Sequence, residues 1–149
     1  MNEWSNRNEV DEVTLNLPGK LFISSRYILN NYKSYNIGHL ITLFDFSTVI
    51  QGIKHDIYNI IDDSSERTID SLNELLSKIA QDIHCSLISG INVCVHCKAG
   101  ISRSSTVVLD YLLTHHFQNF DDAYKYLLAC RPIIEPNPGF MKLLQDKYR

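Results

Sequence analysis

The stretch that decides the fold is "VHCKAGISRSSTVVLDYLL", residues 95–113. It continues an apolar run, "INVCVHC" at residues 91–97, whose β-branched residues predict a buried strand. From about residue 102 to residue 116 the apolar spacing predicts a helix instead. Small residues lie between the two, so the chain is expected to turn tightly from strand to helix. This arrangement sets one thiol, that of Cys97, at the mouth of the turn.

Predicted strands and helices alternate along the rest of the chain. Apolar residues recur at three- and four-residue steps from Thr68 and predict a long helix that Gly90 ends. Four more strands are predicted at residues 13–17, 21–25, 39–44 and 56–61, and two more helices at residues 120–131 and after Pro138. The first two strands are joined by the turn signal Pro18-Gly19 and are expected to form a hairpin. This order is typical of an α/β domain with a central, mostly parallel sheet of about five strands flanked by helices.

Length and composition favour a single domain. The chain has 149 residues, of which 44% are hydrophobic, enough for one sizeable core. We expect residues 1–12 to form a polar N-terminal arm and residues 13–149 to form the domain. The net charge of −3 indicates neither a nucleic-acid-binding nor a membrane-binding surface, because both need a clustered basic excess. Any site for an anion must therefore be local.

The start of the chain and its cysteines bear on location. The first residues, "MNEWSNRNEVDE", are polar, and no stretch approaches the ~18 apolar residues of a membrane span. We expect an intracellular protein, cytoplasmic or nuclear, without a membrane span. The four cysteines, Cys85, Cys94, Cys97 and Cys130, are then expected to be reduced. A free thiol is available for chemistry.

The loop after the predicted strand has the features of an anion site. Small residues allow successive backbone N–H groups to point inward, next to the positive end of the helix dipole. The planar guanidinium of Arg103 can bind two phosphate oxygens at once. The predicted phosphate-binding residues are Lys98, Ala99, Gly100, Ile101, Ser102 and Arg103. Beside these donors, Cys97 is expected to act as a thiolate nucleophile that forms a cysteinyl-phosphate, and Ser104 can donate a hydrogen bond to its sulfur.

The pattern His-Cys-x₅-Arg-Ser, "HCKAGISRSST", resembles the signature of the cysteine-dependent protein phosphatases, and most of all that of their dual-specificity branch. The resemblance runs from about Val13 to Leu144 and includes the closing segment "AYKYLLACRPIIEPNPGF". It implies that residues 13–149 are a catalytic domain that hydrolyses phosphotyrosine and phosphoserine or phosphothreonine in protein substrates. It also implies that no metal or other cofactor takes part. The small size of the chain favours the shallow pocket of this branch.

The resemblance implies three further roles. Family members use an aspartate as general acid on a loop before the cysteine, and "YNIIDDSSERTI" matches that loop. Asp63 matches best, because it lies six residues before Ile69, and Asp62 is the second candidate. This carboxyl is expected to protonate the leaving oxygen and then to activate water. By the same resemblance, Asn137 helps to hold the loop, and His96 orients it and tunes the thiol through hydrogen bonds.

The cysteines and His96 also allow other interpretations: a redox pair, a zinc site and regulation by oxidation. The spacing Cys94-x-x-Cys97 also occurs in redox pairs, and His96 with the cysteines can suggest zinc. Alternation in the strand instead points Cys94 into the core, and adjacent strand residues face opposite ways, which disfavours a shared metal. Oxidation of Cys97 with Cys94, Cys85 or Cys130 as the resolving thiol is a separate hypothesis.

Two alternatives concern function. The same loop can serve a phosphoinositide phosphatase or an RNA 5′-phosphatase, although such loops usually carry more basic residues than the neutral Ile101 and Ser102. A module that binds phosphoproteins without turnover is the other alternative. The intact set of cysteine, arginine and aspartate argues against it.

Overall fold

A five-stranded sheet forms the centre of the protein. The structure is a computed structural model and describes residues 9–149. The strands are Val10–Val13 (β1), Leu21–Ser24 (β2), Ile37–Thr42 (β3), Lys54–Ile57 (β4) and Asn92–His96 (β5). Their order is β1-β2-β5-β3-β4, with β1 antiparallel to β2 and every other neighbouring pair parallel. The predicted mostly parallel α/β sheet is confirmed.

Four α-helices flank the sheet: Glu66–Ile88 (α1), Arg103–His115 (α2), Phe120–Cys130 (α3) and Pro138–Lys147 (α4). Two short 3₁₀ helices, Arg26–Asn30 and Tyr32–Tyr35, connect β2 to β3. Side chains cap three of the α-helices, because Ser65, Asn119 and Asn137 each accept a hydrogen bond from a backbone N–H of the first turn. All four predicted helices are confirmed. None of the helices in the described residues is both long and apolar enough to cross a bilayer.

The core lies mainly on one face of the sheet. Val93 and Val95 of β5 are fully buried there with α1 and α2, whereas Cys94 belongs to a smaller cluster with Phe22 and Leu40. The split follows from the alternation of side chains along a strand. The prediction that Cys94 is a core residue is confirmed. Because Cys97 packs in the main cluster, the two thiols lie in different parts of the core, which opposes a disulfide between them.

Three strands are displaced from their predicted positions. The strand predicted at 39–44 is Ile37–Thr42, a shift of two residues. The hairpin forms, but its first strand is Val10–Val13 and not residues 13–17, because Val13 pairs with Leu21 at the turn and is fully buried. Residues 10–12 of the predicted arm therefore belong to the sheet, and residues 1–8 lie outside the described part. The strand predicted at 56–61 is Lys54–Ile57, since it ends where its partner β3 ends. The residues after it turn towards the loop that begins at Cys97.

Candidate active site

The loop at residues 97–102 joins the carboxyl end of β5 to the first turn of α2. Such a position gathers loops at one edge of a parallel sheet, where ligands bind. Gly100 is needed within it, since its φ of +71° is left-handed. A Cβ at this position would also lie 2.8 Å from the Ser24 carbonyl oxygen. The small residues of the sequence therefore meet a steric requirement of this turn.

The carbonyl groups of the loop point away from its interior. The carbonyls of Lys98 and Ile101 accept the backbone N–H groups of Arg26 (3.1 Å) and Glu135 (2.9 Å). The carbonyls of Ala99 and Gly100 accept from one buried arginine, Arg131, at 3.5 and 2.8 Å. In a trans peptide the next N–H is antiparallel to the carbonyl, so the N–H groups of residues 99–102 point inward. The loop thus forms a concave set of donors for an anion.

Arg131 is the anchor of this loop. It is fully buried at the end of α3, and its Nη1 donates to Asp11 Oδ2 at 2.8 Å. The charge of the guanidinium is therefore compensated while Nε and Nη2 hold the loop carbonyls. The sequence alone did not indicate a role for Arg131. A single arginine in an apolar stretch that ends a helix was the available signal.

Cys97 lies at the bottom of the loop. Only 2% of its surface is exposed, and its Sγ lies 3.3 Å from the Ser104 hydroxyl in the first turn of α2. Arg103 occupies the other end of the loop, where Nη1 donates to the Ile60 carbonyl at 2.9 Å. Within the described residues, Nε of Arg103 is buried and has no hydrogen-bond partner. A buried cationic N–H of this kind is satisfied by a bound oxyanion.

The two neighbouring aspartates have different surroundings. Asp62 Oδ1 accepts hydrogen bonds from Ser102 Oγ at 2.8 Å and from Asn137 Nδ2 at 2.9 Å. Asp63 Oδ1 instead accepts from the N–H and hydroxyl of Ser65, at 3.1 and 2.9 Å, at the start of α1. Hydrogen bonds from Thr68 and Ser65 lower the pKa of the Asp63 carboxyl. The structure therefore brings Asp62, and not Asp63, against the loop.

Asn137 joins the loop to the segment that carries the aspartates. Its backbone N–H donates to Ser102 Oγ at 2.9 Å, and its Nδ2 donates to Asp62 and to the Asp63 carbonyl. Its Oδ1 caps α4 by accepting the Phe140 N–H at 2.9 Å. Asn137 thus links α4, the loop and the aspartate segment through its side chain and its backbone N–H together. An open cleft of about 430 Å³ borders this link beside Asp62 and Ile101.

Three more predicted residues lie in the loop or directly before it. His96 is fully buried, and its Nε2 lies 2.7 Å from Thr42 Oγ1. Burial lowers the pKa of His96 to about 4, so the ring is neutral at pH 7. The exposed Lys98 places its Nζ 5.9 Å from the centre of the Phe44 ring. Ile101 is half-buried.

Comparisons with known proteins agree with this geometry. The family model described as "Dual specificity phosphatase, catalytic domain" matches residues 24–149. The chain is 30% identical over 129 residues to dual specificity protein phosphatase 18 of Bos taurus, over 86% of this chain and 69% of that protein. The crystal structure of human DUSP28 matches with a TM-score of 0.81 at 22% identity, over 95% of this chain and 93% of that chain, which shows a common fold. The crystal structure of human tyrosine phosphatase-like serine/threonine/tyrosine-interacting protein matches with a TM-score of 0.78 at 29% identity, over 95% and 96%.

Proposed function

The chain belongs to the dual specificity phosphatase family and is a protein phosphatase, and from this premise we propose that it hydrolyses phosphotyrosine and phosphoserine or phosphothreonine through a phosphoenzyme on Cys97. One observation carries the proposal: the buried thiol of Cys97 and the buried Nε of Arg103, unpartnered in the described part of the chain, lie at the two ends of a loop whose carbonyls at residues 98–101 bond outward. The donors of that loop match the oxygens of a phosphoryl group. The substrates proposed are phosphorylated proteins.

In the first step the Cys97 thiolate attacks phosphorus in line with the leaving oxygen. The S–P bond forms while the P–O bond to the substrate side chain breaks, and Asp62 gives its proton to the departing oxygen. The inward N–H groups and Arg103 stabilise the charge on the equatorial oxygens of the phosphoryl group. The dephosphorylated side chain leaves as a neutral alcohol or phenol.

In the second step water hydrolyses the phosphoenzyme. The Asp62 carboxylate accepts a proton from the attacking water, the new P–O bond forms, and the S–P bond breaks. The Ser104 hydroxyl, 3.3 Å from the sulfur, donates a hydrogen bond to the departing thiolate. Inorganic phosphate leaves, and every group returns to its starting protonation state. The scheme needs no metal.

Asp62 is the better general acid on its contacts, although the sequence favoured Asp63. Asp62 bonds to Ser102 of the phosphate loop, whereas the Asp63 carboxyl bonds to Ser65, the N-cap residue of α1. A general acid must also hold a proton, and the lowered pKa of Asp63 opposes that. The general acid remains an aspartate, as the family implies, but the role is assigned to Asp62 and not to the neighbouring Asp63.

The first experiment measures phosphate release in EDTA from phosphotyrosine and phosphothreonine peptides. The wild type is expected to turn over both, and Cys97→Ser is expected to turn over neither while keeping its vanadate or phosphopeptide binding. A folded wild type that binds but releases no phosphate would move the assignment to a binding module. Faster release from a phosphoinositide than from either peptide would overturn the protein substrate class.

The second experiment compares Asp62→Asn with Asp63→Asn, two substitutions that each remove one acid without changing its size. Asp62→Asn is expected to lower kcat on the phosphotyrosine peptide by about 10²–10⁴-fold, the usual worth of a general acid. Asp63→Asn serves as the matched control and is expected to act through stability alone, since it weakens the cap of α1. The reverse ranking of the two kcat values would restore Asp63 as the acid.

A further inference from the structure

Three polar side chains lie buried in a row across the sheet beside the phosphate loop, and the mechanism above uses none of their contacts with each other. They are His55 of β4, Thr42 of β3 and His96 of β5. Thr42 and His96 are fully buried and His55 is 8% exposed. Thr42 Oγ1 lies 2.8 Å from His55 Nε2 and 2.7 Å from His96 Nε2. The threonine hydroxyl therefore bridges two imidazole rings.

The hydrogen bond at the His55 end of this row determines which group donates and which accepts at each of its contacts. The backbone N–H of Ile50 donates to His55 Nδ1 at 2.9 Å, and a backbone N–H can only donate. His55 Nδ1 is therefore unprotonated, and the neutral ring carries its proton on Nε2. That N–H donates to Thr42 Oγ1, which leaves the single hydroxyl proton of Thr42 for His96 Nε2. His96 Nε2 must then accept, so the neutral His96 ring carries its proton on Nδ1.

The surroundings keep both rings neutral. The edge of one ring of the Phe44–His96 pair packs against the face of the other, with centres 5.4 Å apart, and Phe46 packs on His55 at 5.9 Å. Burial lowers the pKa of both histidines. The titratable groups that interact electrostatically with His55 are Asp56 and His39, which hydrogen-bond to each other at 2.8 Å. The titratable group that interacts electrostatically with His96 is His55.

The position of His96 affects the orientation of the Cys97 nucleophile. His96 directly precedes Cys97, its carbonyl accepts the Leu43 N–H at 3.1 Å, and its ring lies beside the Cys97 and Ser25 backbones, although its buried Nδ1 has no hydrogen-bond partner among the described residues. A rotation or a change of tautomer in this ring would therefore move the first residue of the phosphate loop. Thr42 and the adjacent Leu43 thus contact both the ring and the carbonyl of His96.

We propose that Thr42 and His55 are positioning residues that hold His96 in its Nδ1-protonated form, and thereby set the orientation of the Cys97 nucleophile. The proposal rests on the role proposed above for Cys97. It assigns a function to two residues on neighbouring strands that do not touch the substrate. The Thr42 hydroxyl donates a hydrogen bond to His96 Nε2. It points towards His96 because His55 already donates to the Thr42 oxygen.

The direct test is a long-range ¹H–¹⁵N spectrum of histidine-labelled protein at pH 7.5, which reports which ring nitrogen carries the proton. The wild type is expected to show His96 protonated on Nδ1 and His55 on Nε2. A wild-type His96 protonated on Nε2 would overturn the proposal at once. This measurement needs neither turnover nor a variant that folds.

The functional test pairs Thr42→Val, which keeps the shape without the hydroxyl, with Thr42→Ser, which keeps the hydroxyl. Thr42→Val is expected to mix the His96 tautomers and to lower kcat/KM by about 10-fold, as expected when a buried partner is removed. It is also expected to change the rate at which iodoacetamide alkylates Cys97 at pH 7.5. Thr42→Ser is expected to restore most of all three values.

The outcomes separate this proposal from the proposed function. In one outcome the wild type turns over while Thr42→Val matches Thr42→Ser in the His96 tautomer, the alkylation of Cys97 and kcat/KM. In that case the positioning role of Thr42 and His55 is wrong and the phosphatase mechanism stands. If the predicted tautomers and the predicted change in alkylation rate appear without phosphate release, the positioning role of Thr42 and His55 stands and the phosphatase mechanism fails. His55→Gln, which retains a donor towards Thr42, is a second variant expected to keep the His96 tautomer, and loss of that tautomer would contradict the direction assigned to the chain.

Discussion

Acidification is expected to destabilise the protein through His96. The ring is fully buried and its pKa is lowered to about 4, against 6.5 for an exposed histidine. Below pH 6.5 the unfolded chain binds a proton that the folded protein does not, so unfolding becomes more favourable as the pH falls. The stabilisation is complete above pH 6.5, is lost between pH 6.5 and pH 4, and falls no further below that range.

The magnitude follows from the width of that window. One pKa unit corresponds to about 1.36 kcal/mol, so at pH 5 the folded state has lost about 2 kcal/mol through His96, and below pH 4 about 3 kcal/mol. Burial also lowers the pKa values of His39, His55, His115 and His116, which adds losses of the same sign. A small domain has a free energy of unfolding of about 5–15 kcal/mol, so this loss is a large part of the total.

The assay is urea unfolding followed by far-UV circular dichroism at several pH values from 7.5 to 5. His96→Gln is the matched variant, because its amide oxygen can still accept from Thr42 but does not titrate. The variant starts from a lower free energy of unfolding at pH 7.5, and its loss on acidification is expected to be about 2 kcal/mol smaller than that of the wild type. Equal losses in the two proteins would refute the argument that His96 is buried in its neutral form.

Three further substitutions test the loop. Gly100→Ala is expected to cost at least about 2 kcal/mol in urea unfolding, since a side chain is strained at its positive φ and would collide with Ser24. Arg131→Met is expected to cost about 3–5 kcal/mol, because it removes the hydrogen bonds to two loop carbonyls and the ion pair with Asp11, and an unchanged midpoint would contradict its role as anchor. Ser104→Ala is expected to show a burst of nitrophenol from p-nitrophenyl phosphate followed by a steady rate about 10-fold lower, whereas a proportional loss of burst and steady rate would contradict its action on the leaving thiolate.

The sequence predicted the parts of the fold that have a local cause. The apolar period of α1 and its end at Gly90 appear in the printed sequence because a helix repeats within a few residues. The turn from β5 to α2 could be predicted for the same reason, since the loop, Cys97 and Arg103 are contiguous. The position of β1 could not be predicted from the sequence, because it depends on the pairing of Val13 with Leu21 across a turn.

The choice between Asp62 and Asp63 shows where local reasoning ends. The two residues are adjacent and chemically identical, and spacing along the chain cannot tell which carboxyl faces the phosphate loop. Ser102, 40 residues away, and Asn137, 75 residues away, make that choice by hydrogen bonds. Arg131 is likewise paired with Asp11 across 120 residues. Only the folded chain brings such groups within hydrogen-bonding distance.

By itself the sequence determined the sheet class, the helices and the loop that begins at Cys97, because those depend on contiguous patterns of apolar, small and charged residues. The tertiary structure alone decided which aspartate meets the loop, which arginine anchors it, and how His55 and Thr42 direct the proton on His96. The physical reason is that hydrogen bonds and burial depend on distance in space. Neighbours in the sheet come from β3, β4 and β5, which are far apart along the chain.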